Sequence, residues 1–448
     1  MSIFKAYDIR GTYPNEVNEN VFHKIGMAAA KTLFGVGAPQ RRVVVGYDAR
    51  VSSPQLADAL VKGLLAAGVA VTEIGQVSTP MLYYATTALK TDAGFQVTAS
   101  HNPGNYNGLK ICRAQAAPVG ATDLEALEQN VLAADPTPAA QAGAVAAKDI
   151  AADYLAMLTR YIDSIAPLTV VVDAGNGVMG EFLPPLFAKL PCELLPLYFE
   201  PDGNFPHHEP NPLEARNLRD LCAKVSATRA DIGVAFDGDG DRAVFVDETG
   251  KIISGDLITA ILAREALRRC PGAAIIYDLR SSRVVAEEIA ALGGRPVVSR
   301  VGHSFIKQLM RDENAEFAGE LSGHFYFREL FCADNAELAM LALLRAVSRS
   351  PQKKLSALVA PLQRYAATGE INFTVNNPQE KLAGVEQHFV DEGGAEISRL
   401  DGLTVNFPDW WFNLRASNTE PMLRLNLEAA TAARRDEKQQ EVEKLIFG

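Results

Sequence analysis

Three segments of the chain repeat one pattern: a β-branched strand, a turn that carries an aspartate, a helical stretch and a second strand. The segments are residues 43–74, 170–197 and 274–299, and the aspartates are Asp48, Asp173 and Asp278. Their Val and Ile runs are continuous rather than alternating, as expected for strands that are covered on both faces. The first and third turns share an Asp-x-Arg sequence and paired serines, which goes beyond the likeness of any two βαβ units. We therefore expect an α/β protein in which one mixed α/β domain is repeated three times.

The last part of the chain has a different pattern. It contains short strands over 370–375 and 423–427, a helical stretch over 379–391 and a charged helix from Ala432, which together predict a smaller α+β domain. An Ala- and Pro-rich stretch, 133–148, lacks apolar periodicity, and we interpret it as a linker. The domains expected from these patterns are 1–145, 146–252, 253–362 and 363–448.

Charge and cysteine content argue against several classes of protein. The 43 Lys and Arg residues and 54 Asp and Glu residues give a net charge of −11, which disfavours general affinity for nucleic acids or acidic membranes. The five cysteines are far apart and form no C-x-x-C pair, so we expect buried thiols in a reducing compartment. We find no signal segment and no apolar run long enough to span a bilayer. These features predict a cytoplasmic protein that binds neither nucleic acid nor membrane.

Ser100 has the sequence setting of a reacting group. It follows a short apolar run, 93–98, which indicates a buried strand, and it precedes the turn sequence His-Asn-Pro-Gly at 101–104. Reacting groups in α/β folds are placed where a strand ends and the chain turns. We expect Ser100 to carry a phosphoryl group and Lys110, on the next strand, to return toward it as a cation. A serine hydrolase is poorly supported, because the chain has no G-x-S-x-G sequence.

A second loop carries carboxylates at alternate positions, Asp237, Asp239 and Asp241, after the strand-like stretch 232–236. The intervening glycines let the backbone curl so that the carboxylates converge, which is costly without a cation. Oxygen ligands favour a hard ion such as Mg²⁺ over a softer metal, although a solvated acidic hairpin is the alternative. Arg242 would add a donor for a phosphoryl oxygen. It also argues against an EF-hand, because it occupies the loop position that needs glycine.

Two polar loops in the second half of the chain are suited to binding a phosphate and a sugar. The first contains Arg415, Ser417, Asn418, Thr419 and Arg424. These donors could surround a tetrahedral anion, although a polar turn with a surface arginine has the same composition. The second contains Glu320, Ser322 and His324. Its carboxylate could accept hydrogen bonds from neighbouring sugar hydroxyls, and an incidental polar loop is the alternative.

Three more residues are weak candidates by themselves. Tyr7 and Arg10 lie in the tight-turn sequence Tyr-Asp-Ile-Arg-Gly, where a surface arginine is the plainer interpretation. His303 lies between a glycine and a serine, and a lone histidine in a turn is more often structural than catalytic.

These motifs, in this order, resemble those of the α-D-phosphohexomutases, most nearly the bacterial phosphomannomutase/phosphoglucomutase branch. The matching stretches are 7–11, 98–110, 237–242, 302–304, 319–324 and 415–419. The resemblance spans the whole chain and implies four domains around a central cleft, the first three with a shared α/β topology. It also implies reversible interconversion of the 1- and 6-phosphates of glucose, mannose or both, through a phosphoserine and a hexose 1,6-bisphosphate.

The resemblance also assigns roles to residues. Mg²⁺ would be bound by Asp237, Asp239, Asp241 and a phosphoserine oxygen on Ser100. The ligands of the sugar's O3 and O4 would be Glu320 and Ser322. The phosphate not being transferred would be held by Arg415, Ser417, Asn418 and Thr419. The reacting end would be lined by Arg10, His101, Lys110, Arg242, His303 and His324.

Several of these expectations are open. Either His303 or His101 could be the base that takes the proton from the substrate hydroxyl. Arg280 stands where bacterial relatives often carry a lysine, so the charge is kept but its geometry differs, and a role toward substrate is undecided. Tyr7 and Arg424 are further candidate substrate contacts.

The substrate class has alternatives too. The Glu320 loop does not separate glucose and mannose enzymes from phosphoglucosamine mutases, although the stretch 102–110 favours the former. A Mg²⁺-dependent sugar phosphatase would use the same serine and metal, but it would have no need of a second phosphate site. The expected partners are hexose phosphates, with glucose 1,6-bisphosphate as activator, and the family favours a monomer.

Overall fold

Four sheets follow one another in the computed structural model, which describes residues 3–5, 7–34, 41–133, 138–416 and 422–448. The strands of the first unit are β1 (Ile9–Thr12), β2 (Arg42–Tyr47), β3 (Ala70–Gln76), β4 (Ala93–Val97), β5 (Tyr106–Arg113) and β6 (Val145–Ala147). Its helices are α1 (Glu19–Phe34), α2 (Ser53–Ala66), α3 (Thr79–Ala88) and α4 (Ala121–Leu132). In the sheet order β1-β5-β4-β2-β3-β6, β2 is parallel to β3 and β4, whereas β5 is antiparallel to β4 and β1.

The second and third units follow the same plan. The second contains α5 (Ala151–Leu158), β7 (Thr169–Asp173), α6 (Met179–Phe187), β8 (Glu193–Leu197), α7 (Arg219–Thr228), β9 (Ile232–Phe236), β10 (Ala243–Asp247) and β11 (Ile252–Ile253). The third contains α8 (Gly255–Arg269), β12 (Ala274–Asp278), α9 (Arg283–Ala291), β13 (Arg295–Ser299), α10 (His303–Asp312), β14 (Phe317–Gly319), β15 (Phe325–Phe327), β16 (Ala333–Asp334), α11 (Ala336–Arg349) and α12 (Leu355–Val359). Their sheet orders are β11-β10-β9-β7-β8 and β13-β12-β14-β15-β16.

The predicted repeat is confirmed by these topologies. In each unit a central strand, β2, β7 or β12, pairs in parallel on both sides, and the strand after its second partner turns back antiparallel. Alternate side chains of β2 reach the two faces of the first sheet: Val43 and Val45 pack with α1 and α2, whereas Val44 packs with α3. Both faces are covered, which explains the continuous apolar runs.

The fourth unit is the expected smaller α+β domain. It contains β17 (Ala366–Thr374), α13 (Pro378–Glu392), β18 (Glu396–Ser398), β19 (Leu403–Asn406), β20 (Trp410–Ala416), β21 (Met422–Ala429) and α14 (Ala432–Phe447). Its strands pair antiparallel in the order β17-β21-β20-β19-β18. Short 3₁₀ turns lie at Ala114–Ala116, Thr159–Tyr161, Ala215–Leu218, Arg328–Leu330 and Ala360–Leu362.

Two expectations need correction. The stretch 133–148 contains β6, which pairs in parallel with β3 at the sheet edge, so it is not wholly a linker. Pairing through the backbone requires no apolar periodicity, and the three residues of β6 are exposed. Buried thiols are found only at Cys112 and Cys332; the other three cysteines are half-buried, and all five are free.

Hydrophobic contacts join the first three units and leave the fourth with its own core. One cluster extends from Met81 of the first unit through Phe245 of the second to Phe317 and Leu344 of the third. The fourth unit has a separate cluster around Phe412. Within the described residues, no helix combines the length and apolar character needed to cross a bilayer.

Candidate active site

Three loops at equivalent places in the repeated fold meet at one site. Residues 98–105 join β4 to β5, residues 237–242 join β9 to β10, and residues 320–324 join β14 to β15. Each loop leaves the end of a strand that pairs in parallel with the central strand of its unit. The second and third loops touch through a β-bridge between Arg242 and His324.

Ser100 is buried at the contact between the first two loops. Its hydroxyl donates to Asp237 Oδ2 at 2.8 Å and lies 3.3 Å from His101 Nδ1. Its φ of 51° is left-handed, which costs a non-glycine residue about 1–3 kcal/mol and persists only where the surroundings enforce it. One such restraint is the hydrogen bond from the Ser100 N–H to Thr98 Oγ1 at 2.8 Å.

The predicted metal ligands converge. Asp237, Asp239 and Asp241 are buried, and one carboxylate oxygen from each lies within 4.8 Å of the others. Asp239 Oδ1 has no hydrogen-bond partner among the described residues, and Asp241 Oδ1 has only an ion-pair contact of 3.5 Å with His324 Nε2. Buried carboxylate oxygens without a partner are costly, so this set of donors fits a hard divalent cation.

Lys110 lies on β5 as predicted, and its partners are the aspartates. Its ammonium pairs with Asp239 at 2.7 Å and with Asp241. Burial lowers the pKa of Lys110, but these carboxylates raise it well above its ordinary value, so the group stays charged. Thr79, at the start of α3, donates to Asp239 Oδ2 at 2.6 Å. Sequence reasoning missed Thr79, because a threonine that begins a helix carries no signal of a partner elsewhere in the chain.

Neighbouring charges shift the pKa values of two of the aspartates in opposite directions. Burial and the neighbouring Asp241 and Asp239 raise the pKa of Asp237 well above its ordinary value. Burial acts in the same direction on Asp241, but Lys110 and His324 lower the pKa of Asp241 well below its ordinary value. The loop is shaped by Asp237 Oδ1, which accepts the N–H groups of Asp241 at 3.0 Å and Arg242 at 3.1 Å.

Arg10 is part of the site rather than a surface arginine. It lies on β1 opposite Gly108 and donates to Asp8 Oδ2 at 2.7 Å and to Asn102 Oδ1 at 2.7 Å. The antiparallel pairing of β1 with β5 carries it to the Ser100 loop. Asp8 and Asn102, which sequence reasoning did not assign, orient its guanidinium there.

The sugar-loop candidates form a compact polar cluster. Glu320 accepts from the Tyr326 hydroxyl at 2.5 Å and from the Gly302 N–H at 3.1 Å. Ser322 Oγ lies 3.0 Å from His324 Nδ1. Burial and Arg242 lower the pKa of His324, but Asp241 and Glu320 outweigh them and raise it to about 9.

Two histidines near the loops are held in the neutral form. His303 begins α10, and its ring meets Tyr7 edge-on at 5.7 Å and lies 6.3 Å from the His324 ring. Burial and the charge of Lys307 lower the pKa of His303 well below its ordinary value. Burial and Arg242 do the same to the pKa of His101. A neutral imidazole can accept a proton, so both predicted bases keep that capacity.

An arginine cluster links the third and fourth units. Arg415 on β20 faces Arg424 on β21, and both approach Glu370, at 3.1 and 3.6 Å. Arg280 reaches the same carboxylate from the third unit at 4.0 Å while it forms a two-point ion pair with Asp278. Arg280 therefore belongs with the two predicted phosphate ligands. Ser417, Asn418 and Thr419 lie outside the described residues. Glu370 was missed, because a carboxylate on an edge strand has no distinguishing sequence context.

Models of four domains of the phosphoglucomutase/phosphomannomutase family match the chain in succession. The alpha/beta/alpha domains I, II and III match residues 1–138, 152–250 and 254–365, and the C-terminal domain matches residues 370–445.

Curated relatives match over nearly the full length. A protein described as phosphohexose mutases, from Xanthomonas campestris pv. campestris, is 41% identical over 450 residues, which cover 99% of each chain. The phosphomannomutase/phosphoglucomutase of Pseudomonas aeruginosa is 40% identical over 432 residues, which cover 96% of this chain and 92% of that one.

Solved structures share the architecture. A phosphoglucomutase/phosphomannomutase family protein from Burkholderia thailandensis is 36% identical with a TM-score of 0.90, covering 99% of this chain and 96% of that one. An N-acetylphosphoglucosamine mutase from Aspergillus fumigatus, solved with GlcNAc-6P and magnesium, shares the fold at 15% identity with a TM-score of 0.62, covering 99% and 95%. The family matches and the full-length relatives confirm the resemblance drawn from the motifs: the chain belongs to the phosphoglucomutase/phosphomannomutase family.

Proposed function

We propose that the protein interconverts hexose 1-phosphate and hexose 6-phosphate, of glucose, mannose or both, through a phosphoserine at Ser100 and a hexose 1,6-bisphosphate. The observation that carries the proposal is the 2.8 Å hydrogen bond from the buried Ser100 hydroxyl to Asp237, inside the aspartate cluster. The names of the full-length relatives support the same reaction. Phosphate would leave Ser100 for the free hydroxyl of the substrate, the bisphosphate would turn over, and Ser100 would take back the other phosphate.

The aspartates would hold Mg²⁺. The proposed ligands are carboxylate oxygens of Asp237, Asp239 and Asp241 together with an oxygen on Ser100. Bound there, Mg²⁺ would supply positive charge to the phosphoryl oxygens, which is the main requirement of phosphoryl transfer.

Fixed cations would stabilise the same charge. Arg10, Lys110 and Arg242 surround the Ser100 loop and the aspartates, and preorganised donors of this kind act without reorganisation during the reaction. His101, whose Nδ1 lies 3.3 Å from the Ser100 hydroxyl, or His303, whose ring lies 6.3 Å from that of His324, would accept the proton of the attacking hydroxyl.

The remaining groups would hold the part of the substrate that does not react. The proposed ligands of the distal phosphate are Arg280, Arg415, Ser417, Asn418, Thr419 and Arg424. The proposed sugar contacts are Tyr7, Glu320, Ser322 and His324. Glucose and mannose differ only at C2, so contacts restricted to O3 and O4 would accept both sugars. A kcat/KM ratio above about 10⁴ between the two 1-phosphates would show instead that the site reads O2 directly.

The same chemistry suggests an activator, and the proposal extends to the compartment and the oligomeric state. A bisphosphate that escapes after the first transfer leaves Ser100 without phosphate, so glucose 1,6-bisphosphate should act as an activator that restores it. We propose that the enzyme works in the cytoplasm as a monomer, and sedimentation of the purified protein tests the second part.

Intact mass spectrometry combined with a coupled assay tests the proposal. We expect one added phosphate on Ser100 and interconversion of glucose 1-phosphate and glucose 6-phosphate. Ser100→Ala should abolish turnover and leave sugar-phosphate binding largely intact. Turnover by Ser100→Ala would contradict the carrier role, and net release of inorganic phosphate without isomerisation would indicate a sugar phosphatase. Preference for glucosamine phosphates would indicate a phosphoglucosamine mutase.

A further inference from the structure

We propose that Arg50 is a positioning residue, which holds the Ser100 loop in the conformation needed for phosphoryl transfer. The inference rests on the proposed function, because it gives Arg50 a part in chemistry at Ser100. Arg50 belongs to the Asp-x-Arg repeat of the first unit, and the proposed reaction otherwise leaves it without a role.

Arg50 is fully buried and binds three backbone carbonyls of the Ser100 loop and the carbonyl of Tyr106, where β5 begins. One terminal nitrogen, Nη2, donates to the carbonyls of Ser100 at 2.7 Å and Asn102 at 2.6 Å. The other, Nη1, donates to the carbonyls of Pro103 at 2.7 Å and Tyr106 at 3.0 Å. One planar side chain therefore fixes the loop along its length.

A single carboxylate anchors this arrangement from two sides. Asp48 Oδ2 accepts from Arg50 Nε at 3.1 Å and from the Thr98 hydroxyl at 2.7 Å. Thr98 Oγ1 in turn accepts the Ser100 N–H. The carbonyl of Ser100 is tied to Asp48 through Arg50, and its N–H is tied to Asp48 through Thr98. Both peptide groups that set the left-handed φ of Ser100 are thereby constrained.

The second unit closes this network. The Phe205 ring covers the Arg50 guanidinium, with 5.1 Å between the guanidinium carbon and the ring centroid. Gly203 packs so closely that a Cβ there would lie 2.3 Å from the Val51 nitrogen and 2.6 Å from Arg50 Cα. A Cβ on Gly104 would lie 2.8 Å from the Gly203 carbonyl oxygen. With these contacts in place, the Arg50 side chain has no exposure to solvent.

The equivalent arginine of the third unit shows the contrast. Arg280 bonds its own aspartate, Asp278, and extends to Glu370 within the proposed phosphate site. A guanidinium has five N–H donors, and all those of Arg50 have acceptors: Asp48, three loop carbonyls and the carbonyl of Tyr106. The same motif thus serves ligand binding in one unit and loop positioning in the other.

Kinetics and hydrogen exchange of Arg50→Lys and Arg50→Met in the full chain test this inference. A lysine cannot engage four carbonyls at once, and a small misplacement of a reacting group lowers rate by about 100-fold. We expect kcat to fall by about that factor in Arg50→Met and by less in Arg50→Lys, with KM for glucose 1-phosphate nearly unchanged. Backbone amides of residues 98–106 should exchange faster, with the other units unaffected.

Arg345→Met is the matched control, because Arg345 is a buried arginine of α11 paired with Asp163 and Glu265 away from the site. Its kcat and the exchange of residues 98–106 should equal those of the wild type. An equal loss of kcat in this control would overturn the inference, as would Arg50→Lys with wild-type kcat and exchange. If the Arg50 variants do not fold, Phe205→Leu replaces them; unchanged kcat and exchange in that variant would overturn the inference as well.

The positioning role of Arg50 and the mutase reaction can be tested separately. A wild-type protein without mutase activity or phosphate on Ser100 would refute the proposed function. The exchange of residues 98–106 in Arg50→Lys would then still decide whether Arg50 holds the loop.

Discussion

Asp237, Asp239 and Asp241 bring three carboxylates into one buried loop beside the Ser100 hydroxyl. Lys110 pairs with Asp239 at 2.7 Å and with Asp241, so its positive charge offsets part of theirs. His324 Nε2 lies 3.5 Å from Asp241 Oδ1, whereas Asp239 Oδ1 has no hydrogen-bond partner among the described residues. At the scale of single residues, this set of carboxylate oxygens fits a hard cation.

Asp239→Asn should therefore weaken the binding of Mg²⁺. One ligand charge is lost, and we expect the Mg²⁺ concentration for half-maximal activity to rise at least about tenfold, the effect of losing even a group that supports a ligand. Titration calorimetry with Mg²⁺ measures the affinity directly. Asp58→Asn on the exposed face of α2 is the control and should leave it unchanged. If the Mg²⁺ dependence of Asp239→Asn equals that of the wild type, the aspartate loop does not bind the metal.

At the scale of elements, β20 and β21 present Arg415 and Arg424 side by side, and β17 supplies Glu370 between them. The carboxylate of Glu370 holds the arginines together in the place where we propose that phosphate binds. Neither strand forms the cluster alone, because the register of the antiparallel sheet aligns the three side chains.

Arg415→Ala should weaken the binding of the hexose 1-phosphate and of the hexose 6-phosphate to the same extent. Losing a hydrogen-bonded charge pair costs about 1.5–3 kcal/mol, so KM should rise about 10- to 100-fold for the 1-phosphate and the 6-phosphate. Steady-state kinetics in both directions measure this. Arg399→Ala, an exposed arginine of the same unit, is the control. A loss confined to one isomer would contradict turnover of the bisphosphate against one distal site.

Helix α11 carries a buried carboxyl, Glu337, into the core shared by the first three units. Burial raises the pKa of Glu337 to about 7 from an ordinary value of 4.5. Between these values the folded state keeps a proton that the unfolded state has lost, so the free energy of unfolding falls as pH rises through this window.

Glu337→Gln should remove this dependence. From pH 5 to pH 8 the variant should gain about 2–3 kcal/mol in free energy of unfolding relative to the wild type. Urea unfolding at the two pH values measures the difference. A constant difference would show that Glu337 titrates alike in both states.

At the scale of the whole molecule, the fourth unit is joined to the others mainly by polar contacts. Arg283 at the start of α9 donates to the carbonyls of Pro408 at 2.9 Å and Trp410 at 2.9 Å, and its N–H binds Glu428 at 3.1 Å. The fourth unit has a separate hydrophobic core, whereas the other three units share one cluster.

The fourth unit should therefore unfold in a separate transition. Both tryptophans of the chain, Trp410 and Trp411, lie in this unit. Their fluorescence should change at a lower urea concentration than the far-UV circular dichroism of the whole chain, because two-state behaviour need not extend across separate cores. Coincident transitions by the two methods would show that the polar interface makes the four units cooperative.

The sequence by itself determined the local pattern of this protein. Continuous Val and Ile runs, aspartate turns and apolar helices predicted the repeat, because these features depend on neighbouring residues and on period. Ser100 and the aspartate loop were also identifiable, since reactive groups between a strand and a turn carry a local signature. Only the tertiary structure decided which loops meet. The contacts of Arg50 with the Ser100 carbonyl, Thr79 with Asp239 and Glu370 with three arginines join residues far apart in the chain. Such contacts depend on sheet order and packing, and no spacing within the sequence encodes them.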